Sequence, residues 1–176
     1  MEEKTLSSRR IYDGRVIKLD VLDVELPNGQ QSKREIIRHP GAVAIVAVDD
    51  QRNVLLVRQW RVAAERAMLE IPAGTLDPGE EPLVCADREL QEETGQRAEN
   101  LEPLGEFFVA PGYTTEKIYL YLATGLTESR LPMDDDEFIE LEQIPLEEAV
   151  RRVANGEFED GKTITGILRA ARHYGI

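Results

Sequence analysis

The distribution of apolar and polar positions predicts most of the elements. Residues 42–48 form an unbroken apolar run between Gly41 and the turn-forming stretch 49–53, as expected of a strand buried on both faces. Residues 54–59 read as the next strand. Upstream, 16–26 is rich in β-branched and aliphatic residues, and Pro27, Asn28 and Gly29 then supply a turn of the kind that joins antiparallel strands. Residues 31–39 are predicted as the returning strand. Further strands are expected over 104–109 and 117–126, the second by alternation.

A helix is predicted over 81–94, because Pro82 sits in the first turn, where a missing N–H costs nothing, and Gly95 supplies a left-handed end. At about 100° per residue, Leu83, Ala86 and Leu90 make an apolar stripe, while Glu89, Glu92 and Glu93 gather on another face. Two more helices close the chain. One runs over 145–154 and stops at Asn155 and Gly156. The other is capped by Thr163 and places Ile164, Ile167, Leu168 and Ala171 on one side.

The carboxylates on the first helix carry the chemistry. Glu89 and Glu93 lie one turn apart with like charge, which costs an isolated helix a few tenths of a kcal/mol unless something positive stands between them. A hard divalent cation, which takes oxygen ligands, meets that need; a solvated acidic face is the alternative. Arg88 precedes Glu92 by four residues and can pair with it.

Composition narrows the classes. The 176 residues suffice for one domain, or one with a small appendage, and the formal net charge of −13 disfavours a nucleic-acid partner. No apolar run approaches the roughly 18 residues of a membrane span, and the start is not basic then apolar, so a cytoplasmic protein is expected. The lone Cys85 is expected to be a free thiol, with a soft-metal ligand as the alternative. His39 and His173 have no metal-ligand spacing to each other or to Cys85.

Gly74, five residues, Glu80, seven residues, then Arg88, Glu89, Leu90, Glu92, Glu93 and Gly95 resemble the signature of the Nudix hydrolases. Gln96 departs from the apolar residue usual after that glycine. The resemblance implies an α+β fold, a mixed β-sheet sandwiched between helices, in which the signature forms a loop-helix-loop that binds Mg²⁺ or Mn²⁺. It implies metal ligands at Glu89, Glu93, Glu92 and the Ala73 carbonyl. Arg88 would hold the glutamates, and Glu80 would anchor the loop or reach metal through water. The proton from the attacking water would go to Glu137, then Asp135, then Glu116 in order of preference, with a solvated acidic turn as the plain alternative.

Other features resemble the ADP-ribose pyrophosphatase branch: an N-terminal antiparallel β-hairpin extension, the run from Gln59 through Trp60 to Arg61, the run from Glu70 to Gly74, and Pro111 standing 16 residues after Gly95. They imply an extension over 1–40, serving dimerisation and part of the substrate site, and a hydrolase domain over 41–176. Arg34 and Glu35 would lie near adenine and ribose, in their own site or a partner's. Arg61, Pro111 and Gly112 would also meet substrate. The plain alternatives are a charged edge strand at 33–35, surface charge at Arg61 and packing at Trp60. Ala110 stands where relatives carry serine, and Tyr113 resembles a mark of diadenosine polyphosphate hydrolases. The expected activity is metal-dependent hydrolysis of ADP-ribose to AMP and ribose 5-phosphate by a homodimer. Another nucleoside diphosphate sugar such as GDP-mannose, or a non-catalytic nucleotide-binding module, are the alternatives.

Overall fold

A computed structural model of the chain describes residues 1–132 and 138–176, so Asp135 and Glu137 lie outside the described residues. The fold is α+β, and its centre is β4 (Ala42–Val48), all seven of whose side chains are buried. The apolar run dictates this, since a strand with no polar position has no face to give to water. β4 runs antiparallel to β5 (Asn53–Arg61) and to the short β7 (Ala73–Thr75), and parallel to β9 (Lys117–Glu128), which makes the sheet mixed. β10 (Ile139–Pro145) and β6 (Arg66–Glu70) pair with β5, and β8 (Gln96–Phe108) lies beside β9. β8 starts well ahead of the expected residue 104.

Helices cover both faces of this sheet. Val43, Ile45 and Ala47 pack with Cys85, Ala86 and Leu90 of α1 (Pro82–Thr94). On the opposite face of β4, Val46 meets Gly166 of α3 (Gly161–Tyr174), while α2 (Leu146–Ala154) packs against α3. Pro82 and the left-handed Gly95 bound α1 as expected. The apolar stripe does not hold in full. Leu83, in the first turn, is 50% exposed, and the buried arc runs instead from Leu90 past Ala86, Glu93 and Glu89 to Cys85. These positions follow one another around a helical wheel, so Glu89 and Glu93 lie within the packed face rather than opposite it. The cap of α3 also differs: Asp160 accepts the Thr163 N–H at 2.9 Å, and Thr163 is the third helical residue, fully buried. Among the described residues, no helix is long and apolar enough to cross a membrane.

The chain divides into two compact units, one of Met1–Gly41 with Phe107–Lys117, the other of Ala42–Glu106 with Ile118–Ile176. In the first, β1 (Lys4–Asp13), β2 (Lys18–Glu25) and β3 (Gln31–Arg38) form an antiparallel sheet in that order. The hairpin from β2 to β3 turns at Gly29, whose φ of 81° suits glycine, and Gly29 N donates to the Leu26 carbonyl at 2.8 Å. β1 was not expected. All ten of its residues are exposed, so it lacks the inward alternation that marks a strand in sequence. The segment 107–117 docks on β3 through its backbone: Ile37 N donates to the Tyr113 carbonyl at 2.8 Å, and Thr115 N to the Ile37 carbonyl at 2.9 Å.

Asp20, buried in the middle of β2, ties the three strands together. It accepts from Arg10 Nε of β1 and, at 3.1 Å, from Arg38 Nε of β3. The Arg10 bond, more than any other contact, holds the Asp20 carboxyl below its ordinary value of 3.8. A carboxyl with a lowered folded pKa stabilises the fold above its unfolded pKa and loses that contribution as pH falls through the folded one. Acidification from about pH 4 downward should therefore lower the protection of β1 amides against hydrogen exchange, taken relative to their intrinsic rate at each pH. Asp20→Asn should show fast β1 exchange already at neutral pH, with a flatter dependence on acid.

Candidate functional site

Strand β7 and helix α1 meet at the candidate carboxylates. A Cβ on Gly74 would lie 1.9 Å from the carboxyl carbon and from Oε1 of Glu89, so only glycine leaves room for that carboxylate against the strand. One residue earlier, the Ala73 N–H donates to Glu93 Oε2 at 2.9 Å. The pairing with β4 explains why this N–H is available. Ile45 N donates to the Pro72 carbonyl, which makes 45 with 72 and 43 with 74 the hydrogen-bonded pairs of the ladder. Ala73, opposite Ala44, therefore turns both its N–H and its carbonyl away from β4, toward the side on which Glu93 lies.

Arg88 gathers the remaining carboxylates. Its Nε and Nη2 donate to the two oxygens of Glu80, each at 3.0 Å, while Nη1 donates to Glu89 Oε1 at 2.7 Å and to Glu92 Oε2 at 2.8 Å. The expected pair with Glu92 is present, as part of a larger cluster. Glu80 also accepts the Asp77 N–H at 3.0 Å and so closes the loop between β7 and α1. The Arg88 guanidinium is the main reason that the Glu80 carboxyl is held down to about 2, and the same bond raises Arg88. Three carboxylates thus share one guanidinium.

This all-oxygen donor set suits a hard divalent cation. Among the described residues, no three His, Cys, Asp or Glu side chains stand close enough together to hold an ion. What lies against the 73–74 backbone is a pair of carboxylates, Glu89 and Glu93, beside the Ala73 carbonyl. A cation such as Mg²⁺, which keeps several waters and takes one or two carboxylates, needs no more from the protein. The soft-metal alternative fails at Cys85, which is fully buried, with a thiol pushed up by that burial and donating weakly to the Thr75 carbonyl at 3.7 Å.

A second charged cluster borders the first. Arg61, at the end of β5, grips Glu70 with Nε and Nη2, both at 2.8 Å, and Lys162 of α3 bonds the same carboxylate and Asp160. Glu70 is 1% exposed. Burial pushes its pKa up, but the two cations outweigh that and leave it lowered. Arg61 is raised chiefly by its bond to Glu70, and the charge of Glu93 adds to that. Glu70 as the partner of Arg61, and the roles of Asp160, Lys162 and Thr163, were not foreseen. The usable signal was Asp160 three residues ahead of Thr163, the spacing of a helix cap.

The remaining candidates lie in the first unit. Arg34 is engaged with Glu3, its Nε donating at 2.9 Å, while Glu35 is exposed. Pro111, Gly112 and Tyr113 are exposed on the loop that docks at Ile37, two residues beyond Glu35 on the same strand. Two groups of residues far apart in sequence thus belong to one unit. Glu116 N donates to Thr114 Oγ1 at 3.1 Å, with the side chain half-buried. Trp60 is exposed rather than packed in the core.

The chain has counterparts among known proteins. The chain is 47% identical over 168 residues to the methanol dehydrogenase activator of Bacillus methanolicus, covering 94% of this chain and 91% of that protein. It is 46% identical over 169 residues to the ADP-ribose pyrophosphatase of Bacillus subtilis (strain 168), covering 95% and 91%. A crystal structure of an ADP compounds hydrolase superposes with a TM-score of 0.88 over 99% of this chain and 95% of that one, at 24% identity, so it shares the fold. Residues 3–37 match the nucleoside diphosphate sugar hydrolase N-terminal domain. Residues 38–165 match the NUDIX domain, and the chain, with its glutamates ranged around Arg88 and Gly74, belongs to the Nudix hydrolase family.

Proposed function

We propose that this chain hydrolyses the diphosphate bond of ADP-ribose, giving AMP and ribose 5-phosphate, with Mg²⁺ or Mn²⁺ as its cation. The observation that carries the reading is the seating of Glu89 on Gly74 and of Glu93 on the Ala73 N–H, beside the carboxylates gathered by Arg88. Glu89, Glu93 and the Ala73 carbonyl would hold the cation, with Glu92 as a further ligand or an orienting group. When bound, a divalent cation neutralises charge on the diphosphate and makes a water more acidic. Arg88 keeps the glutamates from springing apart, and Glu80 fixes the loop ahead of the helix. Arg61 presents a planar guanidinium suited to phosphate oxygens. The proton from water goes to Glu137 or Asp135, or else to Glu116.

Arg34, Glu35, Pro111 and Gly112 would receive the nucleoside end, a reading supported by their shared place in the first unit. A second copy of the chain would cover β1, whose exposed Leu6, Ile11 and Tyr12 lie on a strand at the edge of its sheet. A homodimer in the cytoplasm, acting on a small nucleotide, completes the proposal.

ADP-ribose, GDP-mannose, diadenosine polyphosphates and NADH should each be tested with Mg²⁺, with Mn²⁺ and with chelator. ADP-ribose should be cleaved fastest and chelator should stop the reaction; preference for another compound would move the substrate assignment alone, and no turnover on any would leave a binding module. Glu93→Gln should lower kcat on the order of a hundredfold or more while the circular dichroism spectrum stays that of the parent. Gly74→Ala should fall by about tenfold or more for a different reason, because its Cβ displaces the Glu89 carboxylate, and weaker Mn²⁺ binding should accompany the loss. In solution the chain should sediment at twice its 19.8 kDa, and Ile11→Glu should shift it to the monomer.

A further inference from the structure

Helix α3 carries no part of the signature, yet it grips the peptide that presents Ala73. Its fully buried Thr163 accepts the Ile71 N–H on Oγ1 at 2.9 Å, across 92 residues of sequence. The Thr163 hydroxyl is itself aimed by Asp160, which accepts a hydrogen bond from its O–H and another from the Thr163 N–H. Next to it, Lys162 bonds Glu70. One turn on, a Cβ at Gly166 would lie 2.8 Å from Cδ1 of Ile71, so the bare helix backbone abuts that side chain. Lys162, Thr163 and Gly166 share one face of the helix, and all three address residues 70 and 71.

The grip is carried to the site by a stiff link. Pro72 fixes its own φ near −65° and has no N–H to lose, while its carbonyl is taken by Ile45 N at 2.8 Å. Ala73 follows and donates to Glu93. With Ile71 held by Thr163 and Pro72 held by β4, the Ala73 peptide has one orientation. Without the Thr163 hydroxyl, the Ile71 N–H is left in the interior with no acceptor, a cost relieved by shifting the strand end toward another acceptor or water. Such a shift moves Ala73 and the carboxylate that bonds it.

We propose that Thr163, supported by Lys162, is a positioning residue for the metal centre: it sets where the Ala73 peptide, and through it Glu93, stand. This rests on the reading above that the Ala73 carbonyl and Glu93 hold the cation. Lys162 bonds Glu70 alongside Arg61, so that buried carboxylate is held by two cations.

The test is Mn²⁺ binding to the whole chain without substrate, read by the electron paramagnetic resonance of free Mn²⁺, for the parent, Thr163→Ser and Thr163→Val. Thr163→Val should bind about tenfold more weakly, as loss of an outer-shell partner does, whereas Thr163→Ser, which keeps the hydroxyl, should match the parent. In turnover of ADP-ribose, excess Mn²⁺ should restore much of the rate of Thr163→Val. A parent-like Mn²⁺ affinity in Thr163→Val, with only a lowered melting temperature, would show a purely structural residue and overturn the inference. A parent that binds no Mn²⁺ would overturn the metal reading and this inference with it. If Thr163→Val does not fold, Lys162→Met decides: it should weaken Mn²⁺ binding in the same direction, and an unchanged affinity would count against the proposal.

Discussion

Carboxylates on one helix face repel, and the structure is organised around the guanidinium that makes them tolerable. Arg88 touches Glu80, Glu89 and Glu92 at once, on three of its nitrogens and over 2.7–3.0 Å. Two unit charges about 4 Å apart interact by roughly 4 kcal/mol at the effective dielectric of a protein surface, so three such anions without a cation would cost more than a short helix can offset. Arg88 fixes the geometry of the carboxylates, an all-oxygen set of the kind that holds a hard divalent cation by a few ligands rather than by a closed cage.

The sheet explains how this is built without burying an unpaired charge. One face of β4 takes α1, so the packing of Ala86 and Leu90 sets the depth at which Glu89 and Glu93, next around the helix, meet the backbone of β7. The other face takes α3, whose first turn reaches the segment leading into β7. Among the described residues, no buried side-chain nitrogen or oxygen lacks a partner. In a site this charged that completeness matters, since a single orphaned carboxylate would be costlier than the contacts around it are favourable.

What was legible in the sequence was what local chemistry dictates. The apolar run of β4, the Pro82 and Gly95 bounds of α1 and the Arg88–Glu92 spacing each follow from a few neighbouring residues, and each stands as read. The misses have a common cause. β1 is exposed at every position, so nothing in its pattern points inward. Leu83 sits on the apolar stripe but in the first turn, and Cys85 is buried in its stead; which arc of a helix is covered depends on the sheet it meets. Thr163 looks like a cap because threonine caps helices, and only the distant Ile71 N–H shows what its hydroxyl serves. Glu70 reads as one acid among 34 acidic residues until the fold brings Arg61 and Lys162 to it.

The loop at 107–117 shows why motif letters and structural roles can part. Ala110 replaces a serine expected from relatives, but the turn is closed by its carbonyl, which accepts from Tyr113 N at 3.1 Å and from Thr114 N at 3.0 Å. Its side chain is not needed for that. Docking on β3 likewise runs through the Tyr113 carbonyl and the Thr115 N–H, with the Thr115 hydroxyl accepting from His39 N at 3.0 Å. Tyr113 is therefore held by its backbone while its ring stays exposed, so the ring is not committed to shaping the loop. A tyrosine here is compatible with the same loop conformation that Pro111 and Gly112 impose.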